Sequence, residues 1–163
     1  MKRTNKGTAF ERELVLVFGA YEKEGRAMIR KVDPPTRVLG RRIVQLPSDY
    51  LDFVGSWSEN DGRMIMIEAK HTEKPRLNIR APKGSPGVTA KQYEDAVAWD
   101  AAGAVCLFLW RYQDQVRVTT PSLALVACQD RGEKSLRWCD AYKMPTGRGF
   151  LLYDPLTWAR ALF

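Results

Sequence analysis

The 163-residue sequence holds a single histidine, His71, and only three cysteines, Cys106, Cys128 and Cys139. No two cysteines stand at C-x-x-C spacing, so the thiolate and imidazole set of a structural zinc site is missing. An odd, scattered set of thiols also argues against a disulfide framework and points to a reducing, cytoplasmic setting. Long apolar runs are lacking too. The longest is AVCLFLW, Ala104 to Trp110, against the roughly 20 residues that a membrane-spanning helix needs. After Met-Lys-Arg the chain continues TNKGTAFERE, without the apolar stretch of a secretory leader.

Acids are scarce where bases gather. Residues 1–49 carry eleven Lys/Arg against six Asp/Glu, and between Asp33 and Asp49 there is no acid at all. The formal net charge is +7 and the sequence pI about 9.5. That bias suits a phosphate backbone, although charge alone fits any basic protein equally well.

What remains reads as an ordinary globular chain, 45% hydrophobic and 28% charged, long enough for its own core. Phe10, Leu14, Val17, Phe18 and Tyr21 recur at three- and four-residue steps, which predicts a helix over 8–24. Thr8 and Glu11 have capping-box spacing at its start, and Gly25 offers a stop. RAMIRKV, Arg26 to Val32, alternates as a short strand. Residues 33–48 carry three prolines and three arginines, and predict a protruding ribbon or stalk-like insertion. A strand over Asp49–Gly55, a turn at Ser58–Gly62 and a strand over Arg63–Lys70 make a hairpin. Residues 71–88, with Pro75, Pro82, Pro86, Gly84 and Gly87, predict a long basic loop. A helix over Val88–Gly103 follows, then the buried strand AVCLFLW, a partner strand at Gln115–Thr120 and a short helix or turn at PSLALVAC. The order predicts one α/β domain over 1–163, a mixed sheet flanked by helices.

The chemistry concentrates in MIMIEAKHT, Met64 to Thr72. Alternation puts Ile65, Ile67 and Ala69 on one face, and Met64, Met66, Glu68 and Lys70 on the other. The preceding strand supplies Asp52, an aspartate in apolar company. A hairpin lays Asp52 beside Glu68, and two close carboxylates repel unless a cation lies between them. A hard divalent ion with oxygen ligands, the Ala69 carbonyl among them, resolves that conflict. Lys70 on the same face would stabilise charge developing on a phosphate. The plainer alternative is a fraying edge strand with Glu68 and Lys70 as a solvated pair.

Asp52 followed by Glu68-Ala69-Lys70 resembles the PD-(D/E)xK nuclease pattern. The surroundings resemble more specifically the RecU-type Holliday junction resolvases: GTAFE at Gly7–Glu11, KVDPPTRV at Lys31–Val38, DFVG at Asp52–Gly55, GRMIMIEAKHT at Gly62–Thr72, and the glutamine-bearing helix with its following strand, KQYEDAVAWDAAGAVCLFLW. The resemblance spans roughly residues 5–120. It implies a restriction-endonuclease-like core, Mg2+ (or Mn2+) as cofactor, and paired nicking of four-way DNA junctions by a cytoplasmic homodimer. It makes Asp52 and Glu68 metal ligands, Lys70 the catalytic lysine, Glu11 a helix-borne acid near the metal, Gln92 a supporting glutamine and Thr72 a weaker candidate. Arg37, Arg41 and Arg42 would then contact the branch point, and Lys74, Arg76, Arg80 and Lys83 the duplex arms. The insertion is compact for that family, and DYL replaces the small residues it carries before the aspartate. A nuclease of the same fold acting on other DNA, a non-cleaving DNA-binding protein and a basic structural protein remain the rival readings.

Overall fold

The computed structural model describes residues 6–39, 42–45, 50–144, 154–160 and 162. Its frame is a six-stranded mixed sheet in the order β1-β4-β5-β8-β9-β11. The strands are β1 (Ala27–Lys31), β4 (Phe53–Trp57), β5 (Arg63–Thr72), β8 (Val105–Tyr112), β9 (Gln115–Thr119) and β11 (Tyr142–Lys143). All neighbours are antiparallel except β5 and β8, which run parallel from Ile65↔Val105 to Thr72↔Tyr112. Such a pair needs a crossover, here made by α2 (Ala90–Ala101).

Helix α1 (Lys6–Lys23) covers one face. Its stripe Phe10, Leu14, Val17, Phe18 and Tyr21 is fully buried against Ile29, Phe53, Ile65, Ile67, Leu107 and Leu109. Each such side chain contributes about 1.5–3 kcal/mol by leaving water, and Leu14→Ala would cost about 3 kcal/mol or more. The helix starts before Thr8, so Thr8 sits inside it and the capping box expected with Glu11 does not form. Its end is as expected: Gly25 takes φ +68°, and Arg26 N–H reaches back to the Tyr21 carbonyl at 2.9 Å. At Gly55 a side chain has no room, since a Cβ there would lie 2.0 Å from the Met28 carbonyl oxygen. That contact lets β1 lie directly on β4.

The opposite face carries α2, α3 (Pro121–Gln129) and a three-stranded sheet of β6 (Arg76–Ala81), β7 (Val88–Thr89) and β10 (Ser135–Arg137). Met66, Cys106, Phe108 and Trp110 of the main sheet pack here against Leu77, Ile79, Tyr93, Ala96 and Leu136. Both faces of β8 are therefore buried, which explains its unbroken apolar sequence. The expected loop over 71–88 is thus overturned. Pro75, Pro82 and Pro86 bracket a strand whose Leu77, Ile79 and Ala81 alternate inward, and the prolines bound it without interrupting it.

The expected ribbon is present in part. Strands β2 (Thr36–Leu39) and β3 (Arg42–Gln45) pair with Val38 opposite Ile43. At its root, Val32 N–H donates to the Asp52 carbonyl at 2.8 Å. The next strand starts later than the sequence suggests, at Phe53 instead of Asp49, and continues to Trp57. A 3-10 turn, Ser58–Asn60, links it to β5. The C-terminal part adds β10, β11 and the short α4 (Pro155–Ala159). There Asp154 accepts hydrogen bonds from Tyr21 at 2.6 Å and Arg26 at 2.9 Å, tying α4 to α1. The three cysteines are free thiols.

Candidate active site

The register Phe53↔Ile67 places Asp52 opposite Glu68 at the end of the sheet. Asp52 does not extend the ladder with its side chain. Its Oδ2 instead accepts the Ala69 N–H at 2.9 Å, which fixes the carboxylate beside β5. The Ala69 amide is thus used on Asp52, and the Ala69 carbonyl, which the sequence offered as a ligand for the ion, is a separate group.

Glu68 is completely buried, with 0% of its surface exposed. Its Oε1 accepts the Gln92 side-chain amide at 2.5 Å and the Lys70 ammonium. Its Oε2 is buried and receives no N–H or hydroxyl hydrogen bond among the described residues, and the Asp52 carboxylate lies close enough to share a proton with Glu68. The predicted face is observed: Glu68 and Lys70 project together on the α2 side, and Ile65, Ile67 and Ala69 join the α1-side core. The solvated edge pair is excluded by this burial.

Burial and the neighbouring Asp52 carboxylate push the Glu68 pKa up to about 8, with Lys70 acting in the opposite sense. Burial also raises Asp52, against the pull of Lys70 and the Ala69 N–H, and the charge of Glu11 adds to the rise. Each carboxylate thus resists ionising beside the other, the situation a shared proton or a cation relieves. An oxygen without a donor, a second carboxylate against it and an all-oxygen donor set fit a hard divalent ion. The described residues contain no group of three or more Asp, Glu, His or Cys that could hold a metal by themselves. The remaining coordination would fall to water and substrate oxygens, as hard cations accept.

Gln92 has two tasks. It closes the capping box at the start of α2, its Oε1 accepting from Thr89 N–H at 3.0 Å. Its amide nitrogen simultaneously orients Glu68. Glu11, on α1, meets Lys31 at 2.9 Å instead of any residue of the Glu68 group. Its charge is nevertheless felt at Asp52. Thr72 turns away: it is buried, accepts from Trp110 Nε1 at 2.7 Å and donates to the Lys74 carbonyl. His71 lies on the α1 side of β5 and lines a cavity with Ala9, Glu13 and Arg111.

The basic residues divide. Arg37 on the ribbon, and Lys74 and Lys83 on the loops flanking β6, are exposed. Arg42 opens β3, whereas Arg41 lies outside the described residues. Arg76 and Arg80 are already engaged, Arg76 with Glu133 at 2.9 Å and Arg80 with Glu94 at 3.2 Å. Arg80 is moreover the bulged residue of β6, at φ +61°. The residue that sequence reasoning passed over is Lys31. Its signal was the alternation of RAMIRKV, which puts Lys31 on the same face as the buried Ala27 and Ile29, toward α1 and Glu11.

Among solved structures the chain is similar to the 1.6 Å structure of Hjc, a Holliday junction resolvase from the archaeal hyperthermophile Archaeoglobus fulgidus. The TM-score is 0.54 at 17% identity, over 84% of this chain and 95% of that one. At that identity the likeness is one of fold: a restriction-endonuclease-like core with a central mixed sheet flanked by helices. It does not single out the RecU-type branch. No protein-family model matches the sequence, and no curated protein does.

Proposed function

We propose that the protein is a divalent-metal-dependent DNA endonuclease that resolves four-way junctions by paired nicks, acting as a homodimer. The observation that carries this reading is the Glu68 carboxylate: wholly buried, held against Asp52 between Lys70 and Gln92. A structural ion pair would not set a second buried carboxylate against the first at a sheet end partly open to solvent at Lys70. The similarity in fold to a junction resolvase and the excess of basic residues support the choice of substrate.

Asp52 and Glu68 would hold the ion, with Glu11 next in reach. Mg2+ or Mn2+ supplies, when bound, a Lewis acid for a phosphoryl oxygen and a water acidic enough to act as nucleophile. The protein's own groups do the rest. The Ala69 amide and Gln92 lock the two carboxylates in place before substrate arrives. The Lys70 ammonium faces the same space and donates to a non-bridging phosphate oxygen as negative charge builds there. Arg37 and Arg42 on the ribbon, with Arg41 between them, would meet the branch point. Exposed Lys74 and Lys83 would follow the duplex arms, so binding should weaken steeply with salt.

The test is incubation of fixed and mobile four-way junctions with Mg2+, using wild type and Asp52→Ala. Symmetric nicks near the crossover, absent in the variant, are the expected result. Among the described residues the ribbon strands have four residues each. That shortness favours, as a second reading, a nuclease of the same fold that cuts linear duplex. A linear duplex of matched sequence decides between them, since equal cutting of both substrates would remove the junction preference.

A further inference from the structure

We infer that Lys31 is a positioning residue, a counter-cation that holds Glu11 away from the ion site until a DNA phosphate takes over the lysine. The inference rests on the metal-site reading above and adds a regulated step to it. Lys31 is the last residue of β1, and the face of that strand shared with Ala27 and Ile29 is covered by α1. The ammonium therefore emerges against α1, where it meets Glu11 at 2.9 Å. It also stands within electrostatic reach of Asp33 and Asp52, and Glu11 in turn influences Asp52. Glu11 is the carboxylate it touches, and Asp33 and Asp52 act on it through their charge alone.

The pair is built to exchange. Lys31 is 40% exposed and Glu11 26%, so water screens the contact and a phosphodiester is a competitive partner. Its place in the chain matters as well. The next residue, Val32, donates its N–H to the Asp52 carbonyl, and the ribbon begins there. A strand of DNA lying along the ribbon toward Asp52 passes Lys31 on the way. Once Lys31 has turned to phosphate, the Glu11 carboxylate would lose its counter-cation and be available to an ion held by Asp52 and Glu68. Glu68 requires no such release, because its own lysine sits on the other face of the sheet.

Isothermal titration of Mn2+ into the DNA-free protein tests this, with wild type, Lys31→Met, Lys31→Arg, Lys31→Met/Glu11→Gln and Asp52→Asn. Lys31→Met should bind Mn2+ about fivefold tighter. The gain should vanish in the double variant, and Lys31→Arg should behave as wild type. In EDTA, Lys31→Met should bind a four-way junction about fivefold more weakly, by fluorescence anisotropy. Should Lys31→Met melt below wild type, Lys31→Gln replaces it. Unchanged or weaker Mn2+ affinity in Lys31→Met would overturn the inference, as would a gain that survives Glu11→Gln. A different result bears on the site itself: wild-type Mn2+ affinity in Asp52→Asn would remove the metal centre and leave Lys31 nothing to regulate.

Discussion

Two glutamate–lysine pairs flank the same end of the sheet, one on each face. Glu68–Lys70, under α2, has its carboxylate at 0% exposure, a hydrogen bond from Gln92 and the Asp52 carboxylate as neighbour. Glu11–Lys31, beside α1, has its carboxylate at 26% exposure and its ammonium at 40%. The residue types are identical and the consequences opposite. In the buried pair, removal from water costs more than the ion pair returns, and the glutamate holds its proton to about pH 8. In the solvated pair, water does most of the stabilising and either partner can be exchanged at little cost. A pair of charged residues thus becomes a tense site or a loose contact according to what packs over it.

The largest expected effect is on chemistry at the buried pair. Asp52→Ala and Glu68→Gln should each lower cleavage by about 10³-fold or more, measured in single turnover with saturating Mg2+. Equal loss from Glu11→Ala would erase the contrast between the two pairs.

Next comes an effect of opposite sign on stability. A glutamate whose folded pKa lies above its unfolded value binds its proton more tightly in the folded state. The folded protein therefore loses stability as pH rises from about 4.5 to about 8, and the deficit is complete above that range. In divalent-free buffer at pH 8.5, Glu68→Gln should accordingly melt measurably higher than wild type, a difference that disappears by pH 4.5. The same linkage makes Mn2+ binding to the wild type tighten as pH rises toward 8, because the proton on Glu68 must leave first. A wild-type melting curve that is flat across this window would show the buried pair to be as relaxed as the solvated one.

A smaller effect separates the two tasks of Gln92. Gln92→Ala should cost about 1 kcal/mol through the lost cap and about tenfold or more in cleavage through the loosened Glu68. Thr89→Ala removes the cap alone, so it should share the loss in melting temperature and keep most of the activity. The smallest effect belongs to the solvated pair: Glu11→Gln should change stability by less than about 1 kcal/mol.

Much of this arrangement was legible before any coordinates. The period-two pattern of Met64 to Lys70 set the faces of β5, and one hairpin sufficed to bring Asp52 to Glu68. The stripe from Phe10 to Tyr21 marked α1, and the unbroken run in β8 marked a strand covered on both sides. Other features were hidden for physical reasons. Arg76 to Ala81 alternates clearly, yet its flanking prolines drew attention as loop signals. Thr8 has the spacing of a cap, but spacing does not say where the first helical hydrogen bond forms. Alternation in β1 puts Lys31 on the α1 side, but its contact with Glu11 also depends on how α1 lies across β1, which the sequence pattern does not encode. For the same reason Arg76 and Arg80 read as free cations until Glu133 and Glu94 were found beside them.

The hydrogen bond from Val32 to the Asp52 carbonyl has an evolutionary consequence. The intervening segment departs and returns at one stitch, so it behaves as a cassette with fixed anchorage. On the proposed function, lengthening, shortening or replacing it would alter which nucleic-acid shapes are accepted, while the Asp52–Glu68 register beneath is kept. New substrate preferences would then arise by graft, without rebuilding the sheet that carries Asp52 and Glu68.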